Sequence, residues 1–362
     1  MYIVIMAGGR GTRFWPRSRD RKPKHLLDIL SERTIIQETV DRLLPLVPQE
    51  RILVVTGQSH EEELRNQLPD IPEDNILVEP MGRNTAPCIG LAAHYIRWQN
   101  RGCPDKDEVM AVLPADHLIT DGARFLEVLQ AAAEAAAPGR HLVTIGIAPT
   151  APETGYGYLE LGDAEDPVRG EKVWRVRSVR EKPDLETAKA FLAEKDCYVW
   201  NSGMFVWTTR AILQAIEAQI QNSAGRLRTI AGTFGTSGYG HTLAKEYQAM
   251  DSISIDYGVM EKADNVLVLR GDFGWSDVGS WDALWEVSPK DPSGNVIKGS
   301  VATTGTQNTL VVARDRLVAL AGVEDLIVVD TEDALLVCRR GDSQRVKELV
   351  DLLEKEGLTQ YL

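Results

Sequence analysis

The chain has 362 residues, 40 Lys and Arg against 53 Asp and Glu, and a formal net charge of −13. Hydrophobic residues make up 43% and charged residues 26%, enough to bury a large core, which excludes global disorder. The acidic balance would repel a phosphate backbone and argues against nucleic-acid binding, and no apolar run approaches the roughly 18 residues of a membrane span.

At roughly 150 residues per domain, the length suggests two domains. The opening run Tyr2-Ile-Val-Ile-Met-Ala7 is too short for a secretory apolar region and lacks a basic leader, so it reads as a buried strand and the chain as cytoplasmic. Similar runs predict strands over 52–56, 76–78, 109–113 and 142–147. Ile35, Ile36, Thr39, Val40, Leu43 and Leu44 recur with helical spacing. Ser59 with Glu62 reads as a capping box before a helix carrying Leu64 and Leu68. Further helices are expected over 85–99 and 124–137. This alternation predicts an α/β fold, Rossmann-like, with a mostly parallel sheet and helices on both faces. Ligands of such sheets bind at the carboxyl ends of the strands, here the loops after Ala7, Thr56, Val78 and Leu113.

From 155 to 206 the texture changes. Residues 156–161 and 173–179 alternate like half-exposed strands around an acidic loop, as expected of a lid over the sheet. Helical patterns follow over 209–220 and 255–262. After Pro289-Lys-Asp-Pro-Ser-Gly294 come short Val/Leu/Ile/Thr strands to Val337 and a helix over 343–356. The division is therefore drawn as a first domain over 1–290 and a small C-terminal β domain with a final helix over 291–362. Cys88, Cys103, Cys197 and Cys338 form no CxxC pair and read as free thiols. His60-Glu-Glu-Glu-Leu64 lacks the second histidine of a zinc motif, so no His- or Cys-built metal site is expected.

The most informative stretch is Ala7-Gly8-Gly9-Arg10-Gly11-Thr12-Arg13. Glycines let a backbone approach a ligand with its N–H groups facing anionic oxygens, although a tight turn alone would also use them. The loop lacks the Gly-Lys-Ser/Thr of a P-loop, and Phe14 stands where a dinucleotide fingerprint needs glycine. Across positions 10–24, Arg10, Arg13, Arg17, Arg19, Arg21, Lys22 and Lys24 face one acidic residue, Asp20. Such a local reversal of charge suits a polyphosphate site, whether or not Arg17, Arg19 and Arg21 themselves touch ligand.

These residues resemble a known family. Gly8-Gly9-x-Gly11-Thr12-Arg13 with Trp15-Pro16 and Pro23-Lys24 is similar to the signature of sugar-1-phosphate nucleotidylyltransferases, and Phe14-Trp15-Pro16-x-Ser18-Arg19 to its mannose-1-phosphate guanylyltransferase branch. Glu79-Pro-Met-Gly-Arg-Asn-Thr-Ala-Pro87, Leu113-Pro-Ala-Asp-His117, Glu181-Lys-Pro183, Trp200-Asn-Ser-Gly-Met-Phe205 and Trp275-Ser-Asp-Val-Gly-Ser-Trp281 match in the same order. The resemblance runs to about residue 290 and more weakly to the end, where the family's short tail is left-handed β-helix-like and often dimerises.

The resemblance implies transfer of GMP from GTP to mannose 1-phosphate, assisted by Mg²⁺. Arg13 and Lys24 would contact the triphosphate, and the amides of Gly8, Gly9, Gly11 and Thr12 would cradle it. Asp116 and Asp277 would hold the metal. Lys182 would meet the sugar phosphate, with Glu181, Asn201, Tyr156 and Gly157 around the sugar. Glu79 stands six residues before Thr85, where uridylyl-type relatives carry glutamine; a carboxylate there can accept both guanine N–H donors, with Asn84 and Thr85 near base or ribose. A homodimer is expected, and isomerase activity, which longer relatives add in a further domain, is not. Two readings compete: the same reaction on another sugar phosphate or triphosphate, and a non-catalytic regulatory paralogue. The intact set Arg13, Lys24, Asp116, Lys182 and Asp277 speaks against the second.

Overall fold

A computed structural model describes all residues except Arg10, Pro104 and Lys195. In chain order the strands are β1 (Tyr2–Ala7), β2 (Ile52–Gly57), β3 (Ile76–Glu79), β4 (Val109–Pro114), β5 (Leu118–Ile119), β6 (Leu142–Ile147), β7 (Gly157–Val168), β8 (Glu171–Arg180), β9 (Tyr198–Thr208), β10 (Val266–Gly271) and β11 (Trp275–Ser276). The helices among them are α1 (Ile35–Leu43), α2 (Glu61–Gln67), α3 (Thr85–Gln99), α4 (Gly122–Ala136), α5 (Leu185–Ala193), α6 (Thr209–Gln219), α7 (Gln221–Ala231), α8 (Tyr239–Gln248) and α9 (Trp281–Val287). Six strands follow, β12 (Val296–Lys298), β13 (Val301–Thr304), β14 (Leu310–Val312), β15 (Val318–Ala321), β16 (Leu326–Asp330) and β17 (Leu335–Arg339), before α10 (Val346–Lys355).

A nine-stranded sheet in the order β3-β2-β1-β4-β9-β6-β10-β8-β7 organises the larger part. Strands β1 to β4 pair in parallel, as do β6 and β10. Strand β9 runs antiparallel between β4 and β6 and makes the sheet mixed. The alternation in β1 explains the layers. Ile3, Ile5 and Ala7 face a core with α1 and α4, while Tyr2 and Val4 face one built from α3, α6, α7 and α8. The chain leaves β1 towards β2 and β3, then returns on its other side as β4. The carboxyl ends of β1 and β4 therefore flank a crevice where the strand order reverses.

Two local expectations are corrected. Ser59 caps no helix: Gln58–His60 is itself a tight helical turn, and α2 begins at Glu61 without a side-chain cap. The acidic stretch after Leu161 is no loop, because β7 continues to Val168 and turns only at Arg169 and Gly170, both at positive φ. Its charges pair across the hairpin, Glu165 with Arg175 at 2.5 Å and Glu160 with Arg177 at 3.0 Å.

The C-terminal part stacks β12, β14 and β16 in parallel, with β17 antiparallel at the edge and β13 beside β15. It shares one hydrophobic cluster with the region of the first loop: Phe14, Trp15, Val278 and Trp281 pack with Leu310, Ile327, Val346 and Val350. Among the described residues, no helix is long and apolar enough to cross a membrane.

Candidate active site

A cavity of about 520 Å³ opens at the carboxyl ends of β1, β3 and β4. Gly8 and Gly9 line it from the loop after β1, Glu79 from the end of β3, Asn84 and Thr85 from the start of α3, and Asp116 from the loop after β4. Tyr156, Gly157, Glu181, Asn201 and Asp277 complete the lining among the expected residues. The loop after Thr56 contributes none; β2 reaches the cavity only through Val55.

Asp116 and Asp277, 161 positions apart in the chain, are joined by Lys24. The buried ammonium donates to Asp116 O at 2.7 Å, to Asp116 Oδ2 at 3.0 Å and to the backbone oxygen of Asp277. All three of its N–H donors thus meet protein oxygens. Burial works against the Asp116 charge, but Lys24 and His117 hold its carboxyl down at about 2. The Tyr156 hydroxyl donates to Asp277 Oδ1 at 2.6 Å. Burial and the Asp277 charge push that phenol upward, so it stays a neutral donor. Asp116 Oδ1 and Asp277 Oδ2 keep no protein partner among the described residues.

Gly11, Thr12, Arg13, Lys24 and Lys182 do not line the cavity. Gly11 takes positive φ and a Cβ there would lie 2.6 Å from Lys24 Cβ, so glycine is required for the loop to pass over Lys24. Arg13 sits at the Asp277 side, where a Cβ built on Gly279 would lie 2.8 Å from Asp277 Oδ2 and 3.4 Å from Arg13 Nη1. Lys182, at positive φ, is mostly exposed and donates to Glu181 Oε1 at 2.7 Å. Of the other basic residues, Arg17 pairs with Asp28 at 2.5 Å and Arg19 with Asp333 at 2.6 Å. Arg10 lies outside the described residues.

Two groups escape a reading of the sequence by motif: Tyr247, which bonds the lining residue Glu79, and Asp256, which lines the cavity itself. Glu79 is buried and accepts a hydrogen bond from the Tyr247 hydroxyl of α8 at 2.6 Å. Burial pushes the Glu79 carboxyl up to about 7, against the pull of that bond. Asp256 stands on a wide helical turn, Asp256–Met260, and accepts from Asn201 Nδ2 at 2.7 Å. Burial and then the Glu181 charge raise its carboxyl to about 6. Nothing in the local sequence marks Tyr247. Asp256 lies second in the 255–262 pattern, where helical periodicity concealed its chemistry.

The arrangement combines glycine backbone and two aspartates from lysine-linked loops at one end with hydrogen-bonding walls at the other, which suits transfer of a phosphoryl-linked group between two anions. A family model described as nucleotidyl transferase matches residues 2–294, and one described as MannoseP isomerase/GMP-like beta-helix domain matches 299–353. The chain belongs to the nucleotidyl transferase family and is an enzyme of that class. Within the family it falls with the mannose-1-phosphate guanylyltransferases. It is 37% identical to mannose-1-phosphate guanylyltransferase 2 of Escherichia coli O157:H7, over 99% of this chain and 74% of that protein. A Klebsiella pneumoniae mannose-1-phosphate guanylyltransferase is 39% identical over 99% of this chain and 75% of its own length. A crystal structure described as mannose-1-phosphate geranyltransferase from Thermus thermophilus superposes with a TM-score of 0.85 at 36% identity, covering 98% of this chain and 99% of that one.

Proposed function

We propose that the chain transfers GMP from GTP to mannose 1-phosphate, giving GDP-mannose and pyrophosphate by in-line attack at the α-phosphorus. One observation carries the reading. A single cavity joins the amides of Gly8 and Gly9 and two lysine-bridged aspartates to a carboxylate able to read guanine and a polar wall able to hold sugar hydroxyls. The relatives' activity supports the same reading.

The attacking phosphate oxygen is already anionic, so no side chain must remove a proton. The obstacles are repulsion between two anions and charge building on the leaving pyrophosphate; positioning and positive charge overcome them. Arg13 meets the developing charge, and the amides of Gly8, Gly9, Gly11 and Thr12 cradle the phosphates. Lys24 offsets the Asp116 charge and, through the backbone oxygen of Asp277, ties the two aspartate loops together. Among the described residues each aspartate retains one unpartnered oxygen, a hard donor set that fits Mg²⁺, which takes one or two carboxylates together with substrate phosphates and water. When bound, the ion supplies charge neutralisation at the phosphate oxygens.

Glu79 accepts the guanine N1–H and N2–H donors, with Asn84 and Thr85 beside the base and ribose. Lys182 meets the sugar phosphate, while Tyr156, Gly157, Glu181, Asn201 and Asp256 surround the sugar. The catalytic unit spans 1–290, the β unit 291–362, and two copies form a dimer in the cytoplasm. A pyrophosphate-release assay crossing the four triphosphates with mannose, glucose and N-acetylglucosamine 1-phosphates, with and without Mg²⁺, tests the reading. GTP with mannose 1-phosphate and Mg²⁺ is expected to give the highest turnover; a higher rate with another pair overturns the assignment.

A further inference from the structure

We propose that Gln344, on the turn that opens the final helix, is a positioning residue for the Arg13 guanidinium, so that the C-terminal domain orients a cation at the active site. The proposal rests on the role given to Arg13 above. Arg13 Nη1 donates to Gln344 Oε1 at 3.1 Å. Gln344 is exposed and adds nothing to a core, whereas its neighbours Ser343 and Val346 are buried. Among the described residues, the hydrogen bond of its side chain is to the arginine.

The turn that carries Gln344 is fastened to the segment that carries Asp277. Asp282, at the start of α9, accepts from Gly341 N at 2.7 Å, Ser343 N at 3.1 Å and Ser343 Oγ at 2.5 Å; its own backbone N–H donates to Ser343 Oγ at 3.1 Å. The first loop is tied to the same body. Trp281 Nε1 donates to the Trp15 carbonyl at 3.0 Å, and Trp15 Nε1 to the Tyr361 carbonyl at 2.7 Å. Phe14 meets Trp281 edge to face at 4.9 Å between centroids, and Val346 and Val350 close the cluster. The Arg13 loop, the Asp277 segment and the Gln344 turn therefore form one packed unit, and the amide oxygen is held at a set place relative to both.

The choice of an amide matters. A carboxylate at this position would pair with Arg13 and cancel its charge where the reaction needs it. A neutral amide oxygen engages one N–H and leaves the positive charge and the remaining donors for a phosphoryl group.

The test measures kcat and KM for pyrophosphate release, with thermal unfolding, in the full chain carrying Gln344→Ala, Gln344→Glu or Arg13→Ala. Gln344→Glu is expected to keep the melting temperature and lower kcat by about 10-fold or more, with Gln344→Ala falling less and KM little changed in either. A merely structural contact gives the reverse order, because glutamate can still bond the arginine and alanine cannot. Wild-type kcat in Gln344→Glu overturns the proposal. An inactive Arg13→Ala beside wild-type-like Gln344 variants overturns it alone, and normal turnover in Arg13→Ala overturns the Arg13 assignment and this proposal with it.

Discussion

Glu79, proposed above to read guanine, carries a cost to the fold. Its carboxyl is buried at the cavity wall with a single hydrogen bond among the described residues, from Tyr247, and burial pushes its pKa up to about 7. A raised folded-state pKa means that stabilisation is present below the ordinary carboxylate range and lost as pH rises through 7. Glu79→Gln keeps an acceptor for Tyr247 and carries no charge. Its melting temperature should match wild type at pH 5 and exceed it at pH 8, by the equivalent of about 1–3 kcal/mol. If the ionised form reads guanine, wild-type kcat/KM for GTP rises as pH passes 7, and Glu79→Gln erodes the preference for GTP by about 10-fold or more. Unchanged nucleotide preference in the variant removes Glu79 from base recognition. Gly157 is a second such residue. A Cβ there would lie 2.3 Å from Glu181 Oε2 and 3.3 Å from Asn201 Cβ. Gly157→Ala should displace Glu181 and raise KM for the sugar phosphate by about 10-fold while leaving KM for GTP close to wild type; equal effects on both would place Gly157 outside the sugar site. The basic loop teaches a different lesson. Its local charge reversal suggests a phosphate grip, yet Arg17 and Arg19 are engaged by Asp28 and Asp333, and Lys24 by the two aspartate loops. Much of that charge fastens the molecule to itself.

At the level of elements, the two ends of the cavity are joined through α3. Thr85 Oγ1 accepts the Ile255 backbone N–H at 2.8 Å, and the Ala86 N–H donates to Ile253 O at 3.1 Å, which pins the turn bearing Asp256 to the helix start. Thr85→Val leaves the Ile255 N–H without its acceptor. It should cost about 1–3 kcal/mol of stability and raise KM for the sugar phosphate, with Thr85→Ser restoring both; calorimetry and steady-state kinetics decide. The element pattern explains what could be read in advance. Strands β1 to β4 and β6 are continuous apolar runs because parallel strands are covered on both faces, so their existence was legible in the residues alone. Strand β9 was not legible as a strand. Asn201, Ser202 and Gly203 interrupt its alternation where it faces the cavity, and Ser202 Oγ is used to reach Ile145 O at 2.6 Å. The acidic half of β7 misled for the complementary reason, since its charges are satisfied only across the hairpin.

At the level of the whole molecule, motifs named most of the cavity wall but could not supply its convergence. Asp116 and Asp277 meet only because β5 pairs with β11 and Lys24 bridges the two loops, both long-range events. Tyr247 could not be found without the packing of α8 beneath β3. The apolar stretch 326–337 is uneven in its burial. Ile327 and Val329 of β16 are buried, whereas Leu335 and Val337 of β17 are 51% and 56% exposed on either side of buried Leu336. Strand β17 is also a sheet edge, with no further strand beside it among the described residues. An antiparallel edge is complementary to itself under two-fold rotation, so a second copy can cover it without any other surface. On the dimer reading, light scattering of the wild-type chain gives twice the chain mass, and Val337→Lys gives a monomer with unchanged melting temperature. A wild-type monomer, or a lysine variant that still dimerises, takes β17 out of the interface.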